Sequence, residues 1–265
     1  MTTESPSGQL GEELVRLASA DNFRDVAGPG LRAVDGTPLR AGVFYRSNEL
    51  QLTDVDVRAL HGLRIGGIYD LRSRHEVTEH PDTEVPGAQW RHLEIGGIPM
   101  DTVSSLESRE AAVEVMRAVY RSFVEVPAAR ASYAALLTAL HEASPEQAHV
   151  FHCTAGKDRT GWAAALLLHN AGCSADVVLA DYLRTNEFGG TRDKYLALVR
   201  EHLGEEKVAV YEAVMVADAD YLRAAHDAVA ARYGDLAAYL REGLGLDEEV
   251  LAGLRARLRQ EPNGG

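Results

Sequence analysis

The stretch Ala148-His149-Val150-Phe151-His152-Cys153-Thr154-Ala155-Gly156-Lys157-Asp158-Arg159-Thr160-Gly161 constrains this chain more than any other. Ala148 to His152 reads as a short buried strand, and Arg159 to Asn170 reads as an apolar helix. Only a tight loop from Cys153 to Arg159 separates them. Such a joint belongs to a layered α/β fold, in which strands feed helices that pack back on a largely parallel sheet. The rest of the first half agrees. Gly42 to Arg46, Ile65 to Leu71 and Trp90 to Ile95 read as strands, and Thr53 caps a helix that opens with Asp54 and Asp56. Val34-Asp35-Gly36-Thr37 reads as a hairpin turn, with Gly36 at positive φ. Helices are expected at 107–125 and 128–143, divided at Pro127. From Ser174 to Arg259 the pattern is helical, broken at Gly189-Gly190, Gly204, Gly234 and Gly243-Leu244-Gly245. The expectation is one domain over 10–260 with about four to five strands, an all-helical last third, and loose tails at 1–9 and 261–265.

The loop has the makings of an anion site. Successive amides between a strand and a helix can turn inward as a nest, with the positive end of the helix dipole at the same spot. Gly156 lets the backbone close without a Cβ in the way. Arg159, in the first helical turn, offers a planar fork for two phosphate oxygens, and Lys157 a second cationic contact. The same field favours the thiolate of Cys153, which becomes a nucleophile without a separate base. Thr154, Ala155 and Gly156 complete the cup, and the hydroxyl of Thr160 is placed to steady the sulfur as it leaves. Displacement at phosphorus also needs a proton for the departing oxygen. Asp158, inside the loop, is the first choice. Asp82, in His80-Pro81-Asp82, and Asp70, at a strand end that lines the ligand crevice in open α/β sheets, are the alternatives. His152 reads as a hydrogen-bonding support for the loop.

Composition narrows the partners. The formal net charge is −13, so nucleic acid and anionic surfaces are repelled unless a strong local patch intervenes. Only three of 27 cationic residues are lysines, which makes Lys157 stand out. Hydrophobic residues make up 46% of the 265, enough for a sizeable core, yet no apolar run reaches the ~18 residues of a membrane span. The histidines show no metal spacing, and neither a metal nor another cofactor is expected. Cys153 and Cys173 are too few for a disulfide framework and suit a reducing compartment. The start, MTTESPSGQLGEE, lacks the basic and apolar regions of a secretory signal, so a cytoplasmic place is expected, with export by another route left open. Oligomeric state is not legible.

The loop His152-Cys153-Thr154-Ala155-Gly156-Lys157-Asp158-Arg159-Thr160-Gly161 closely resembles that of the bacterial tyrosine phosphatases of the mycobacterial protein tyrosine phosphatase B type. So do Asn22-Phe23-Arg24-Asp25-Val26-Ala27, Phe44-Tyr45-Arg46-Ser47-Asn48-Glu49-Leu50, Asp70-Leu71-Arg72-Ser73, Ala180 to Asn186, and Tyr233 to Leu240. The resemblance runs from about Asn22 to Leu258. It implies a phosphatase-type α/β fold with added helices, some of them a mobile lid, here placed at about 187–221. It also implies an acid within the loop, matching Asp158, and a loop lysine, matching Lys157. The implied substrates are phosphotyrosine, phosphoserine or phosphothreonine, and phosphoinositides. Thr154 departs from the Phe of the mycobacterial enzyme, at the edge of the pocket. Three rival readings accompany it: a small-molecule phosphatase, a loop-thiolate enzyme such as a sulfurtransferase or arsenate reductase, and a silent phosphate-binding module.

Cys153→Ser is expected to abolish hydrolysis of p-nitrophenyl phosphate while calorimetry still detects tungstate binding, since the amide nest survives. Residual turnover above a trace would remove Cys153 from the role of nucleophile.

Overall fold

The computed structural model describes residues 17–98 and 100–260. The expected tails and the expected domain start at residue 10 lie outside the described residues. In chain order the elements are β1 (Arg24–Asp25), β2 (Phe44–Ser47), α1 (Asp54–Gly62), β3 (Ile65–Asp70), α2 (Arg74–Glu79) and β4 (Gln89–His92). Then come α3 (Met100–Ser105), α4 (Arg109–Glu125), α5 (Pro127–Glu142), β5 (Ala148–His152), α6 (Asp158–Asn170) and α7 (Ala175–Leu183). The last third holds α8 (Gly190–Leu203), α9 (Glu205–Met215), α10 (Ala219–Tyr233), α11 (Leu236–Ala238), a π-turn at Tyr239–Gly243, and α12 (Glu248–Leu258).

Among the described residues the sheet has the order β1-β2-β5-β3-β4, with β1 antiparallel to β2 and every other pair parallel. β5 sits at the centre and is buried along its whole length. A parallel strand covered on both faces has no solvent side, which is why its sequence reads as a short run rather than an alternation. The pleat still sorts its residues. Val150, opposite Tyr45 and Ile68, belongs to the smaller core with Phe23, Leu50 and Leu60. Phe151 joins Phe44 and Tyr69 in the larger core, which extends through Tyr120, Phe123, Tyr133 and Trp162. Truncating such a buried ring to Ala costs about 3–5 kcal/mol. At the far end Ser47, His152 and Asp70 stand level, so the three strands finish together beneath one crevice.

Local signals account for most boundaries. Thr53 caps α1 by accepting from the Asp56 amide, and Pro127 stands in the first turn of α5. The hairpin at Val34–Thr37 forms with Gly36 at φ +84°. β5 has the expected bounds, while β2, β3 and β4 are shorter than expected. β4 ends at His92, although the Leu93 and Ile95 amides still bond to Asp70 O (2.8 Å) and Leu71 O (3.2 Å). Four features were not anticipated: β1, α2, α3 and the break at Val216–Asp218 that separates α9 from α10. Of these, α2 carries a readable signal in Ser73 and Glu76, which form a reciprocal capping box.

Candidate active site

The loop between β5 and α6 is inverted relative to an ordinary turn: its carbonyls are drawn outward. Glu49 N donates to Thr154 O at 3.1 Å, Asn22 Nδ2 to Ala155 O at 2.9 Å, and Arg46 Nη2 to Gly156 O at 3.0 Å. With the carbonyls engaged outside, the loop amides face the cup above Cys153. Gly156 is required twice over. Its φ is +66°, and a Cβ there would lie 2.5 Å from Ser47 O and 2.6 Å from Asn48 N. The donors are themselves pinned. Arg46 is fully buried and pairs with Asp181 at 2.6 Å, while Arg24 reaches the same carboxylate at 3.4 Å and the Asp181 carbonyl at 3.1 Å.

A second charged layer lies under the loop. His152 Nε2 is 2.9 Å from Asp82 Oδ2, and Asp82 Oδ1 takes Arg72 Nη2 at 2.8 Å and the Leu50 amide at 3.1 Å. Burial opposes charge on Asp82, but His152 and Arg72 outweigh it and hold the carboxyl below its ordinary range. Asp70 is fully buried with both oxygens on Arg72, Oδ1 at 3.0 Å and Oδ2 at 2.8 Å. Donor atoms of Asp70, Asp82 and His152 lie within 4.8 Å of one another, as ligands of a cation would. Arg72 Nη2, at 2.8 Å from an oxygen of each aspartate, already supplies the positive charge there.

Above the loop opens a cavity of about 820 Å³. Cys153, Thr154, Ala155, Lys157, Asp158 and Arg159 line it; Gly156, Thr160 and Asp70 do not. Cys153 is buried at the foot of the cavity. Thr160 is fully buried, and its hydroxyl has no hydrogen-bond partner among the described residues. Asp158 Oδ1 accepts from Tyr120 at 2.8 Å and stands 2.9 Å from Lys157 Nζ. The Lys157 ammonium is turned to the end of α9, where it donates to Val214 O (2.8 Å) and Val216 O (3.1 Å).

Arg159 has a partner that sequence reasoning missed. Its two Nη atoms each lie 2.7 Å from an oxygen of Glu76. The same carboxylate accepts from the Ser73 amide at 2.8 Å and from the Thr154 hydroxyl. Gly97 makes room for the guanidinium, since a Cβ there would come within 3.1 Å of Arg159 Cζ. Burial opposes charge on Glu76, yet Arg159 first, then Thr154 and the Ser73 amide, hold it far below the usual carboxylate range. The capping-box spacing Ser73 to Glu76 was the available signal.

A buried cysteine, an arginine and a carboxylate on one strand-to-helix loop, all lining one cavity, are the arrangement expected of a thiolate phosphatase. The pattern described as "Tyrosine phosphatase family" matches residues 15–260, and this chain belongs to that family. The chain is 30% identical to the triple specificity protein phosphatase PtpB of Mycobacterium tuberculosis, over 91% of this chain and 98% of that one. It is 28% identical to a tyrosine-protein phosphatase of Nostoc commune, over 88% of this chain and 78% of the relative. It is an enzyme of the protein tyrosine phosphatase type.

Glu76→Gln preserves shape but strips the charge opposite a buried guanidinium. The expected loss at neutral pH is about 2 kcal/mol, below the ~3–5 of a fully buried pair because the Glu76 side chain keeps 29% exposure. A carboxyl depressed on folding stabilises fully above its unfolded value of about 4.3, and that contribution fades as pH falls below it. Denaturant melts at pH 7 and pH 3 should therefore show the gap between wild type and variant narrowing in acid. An unchanged gap would mean that the charge is not what was lost.

Proposed function

We propose that this chain, acting as a single phosphatase domain, hydrolyses phosphotyrosine through a phosphocysteine on Cys153. The carrying observation is the outward engagement of the Thr154, Ala155 and Gly156 carbonyls, which leaves an inward amide nest at the foot of a deep cavity. The wall beyond the nest is largely apolar, with Ile98, Val119, Phe123, Phe188, Tyr195 and Met215 on it, and suits an aromatic ring attached to the phosphate.

In the first step Cys153 Sγ attacks phosphorus, the S–P bond forms, and the ester P–O bond breaks. Asp158 passes its proton to the departing oxygen. In the second step Asp158 takes a proton from water, the water oxygen attacks phosphorus, and the S–P bond breaks to return thiolate and inorganic phosphate. The nest and the Arg159 guanidinium, held by Glu76, carry the charge that spreads over the equatorial oxygens, and the buried Lys157 ammonium adds positive charge beside Asp158. The unpartnered hydroxyl of Thr160 is available to the sulfur when it leaves. Asp70 acts at a distance, through Arg72 and Asp82 under the loop. Phosphoserine, phosphothreonine and phosphoinositides form a second range of substrates, in keeping with the triple specificity named for the mycobacterial relative. Both cysteines are free, which suits work in a reducing, cytoplasmic setting. Among the described residues no helix is long and apolar enough to cross a membrane.

Helices α8 and α9 act as a lid over this cavity. Tyr195 lines it, Val199 is buried and Leu198 is 52% exposed, so the apolar residues of α8 divide between cover and solvent. Gly204, at φ +95°, joins the two helices.

The acid is tested by leaving group. Asp158→Asn should slow alkyl phosphates by about 10²–10⁴-fold and p-nitrophenyl phosphate far less. The same signature in Asp82→Asn, absent from Asp158→Asn, would transfer the role. For the lid, hydrogen exchange over 187–221 should slow when orthovanadate binds. Protection already complete without ligand and unchanged by it would eliminate a moving cover.

A further inference from the structure

Asp158 is committed on one side. Its Oδ1 accepts from the Tyr120 hydroxyl at 2.8 Å and is ion-paired with Lys157 Nζ at 2.9 Å. The single hydroxyl hydrogen of Tyr120 is spent on that carboxylate. In the 2.7 Å contact between the Tyr120 and Tyr182 hydroxyls, the hydrogen therefore comes from Tyr182. Tyr182, Tyr120 and Asp158 thus form a chain in which both hydroxyl hydrogens point towards the carboxylate. Burial, foremost, pushes both phenols well above their ordinary range, so both stay protonated donors at any working pH.

Asp218 caps α10, and Val214 and Val216, whose carbonyls hold Lys157, lie just before it at the end of α9. Asn186 clamps the turn between them, accepting from Ala217 N and donating to Ala217 O, each at 2.8 Å. The Tyr182 ring reaches its place because residue 161 is glycine: a Cβ there would lie 3.0 Å from the ring. The turn at 214–218 thus carries the partners of Lys157, while the Tyr182 ring lies against Gly161 in the first turn of α6.

We propose that Tyr182 and Tyr120 are positioning residues for Asp158, holding the carboxyl plane and reserving Oδ2 for the transferable proton through a one-way hydrogen-bond chain. With Oδ1 taken by the Tyr120 hydroxyl and faced by the Lys157 ammonium, a proton on Asp158 resides on Oδ2, so the delivering oxygen is chosen before substrate arrives. This inference rests on the reading of Asp158 as the acid.

The test compares Tyr182→Phe, Tyr120→Phe and Asp158→Asn on aryl phosphates of graded leaving-group basicity and on an alkyl phosphate. Tyr182→Phe should keep p-nitrophenyl phosphate turnover within about twofold and lose about tenfold on the alkyl ester, the weight of one hydrogen bond. Tyr120→Phe should be steeper, and Asp158→Asn steepest. If both tyrosine variants lose equally on all esters while Asp158→Asn is steep, the positioning chain is wrong and the acid stands. A flat response in Asp158→Asn overturns the acid itself. Melting temperatures identify any variant that fails to fold. If one tyrosine variant does, the other carries the test, and if both do, Lys157→Met reports on the ion pair over the same series.

Discussion

A loop that turns its amides inward must find partners for its carbonyls outside, and this requirement organises much of the molecule. Thr154 O, Ala155 O and Gly156 O are met by Glu49, Asn22 and Arg46, which come from the segments around β1 and β2. Gly156 O is buried, and leaving it unmet would cost about 1–3 kcal/mol, so the loop depends on Arg46 staying in place. The demand propagates. Arg46 is a fully buried cation and needs Asp181 on α7, and Arg24 shares the same carboxylate. A strand edge, a sheet strand and a distant helix are thus tied to a single loop by charge and hydrogen bonding, not by apolar contact alone.

Two further ionic layers keep the site from relaxing. Below the loop, Arg72 binds Asp70 and Asp82, and Asp82 meets His152 next to the nucleophile. At the rim, Glu76 holds the guanidinium of Arg159 in a two-point contact and takes the Thr154 hydroxyl as well. An arginine buried to 7% exposure would be costly without such a partner, and one left free would lie anywhere in the cavity. Preorganisation of this kind places charge where it develops in phosphoryl transfer without a reorganisation step during the reaction. Helix α9 is joined to the same frame through the turn at 214–218, where Lys157 finds its partners.

Much of this was determined by sequence alone, because the signals are local. The run from Ala148 to Gly161 encodes strand, loop and helix in order, and the proposed site residues Cys153, Gly156, Asp158 and Arg159 fall within seven residues of it. Thr53, Pro127, Gly36 and Gly204 mark their boundaries through backbone preferences that act over one turn. The capping box at Ser73 and Glu76 was equally local, and α2 was legible from it. What Glu76 does with its carboxylate was not. Its partner Arg159 lies 83 residues away in sequence, and no periodicity links them. Asp181 with Arg46, Tyr120 with Asp158 and Lys157 with Val214 are pairs of the same kind, separated by 135, 38 and 57 positions. Asp70 shows the converse: a strand end reads as crevice lining, yet Arg72, two residues on, folds back and takes both its oxygens. Which residue carries the chemistry is written in spacing along the chain. Which residue holds it in place is decided only by folding, since a buried charge takes whichever opposite charge the packing brings within reach.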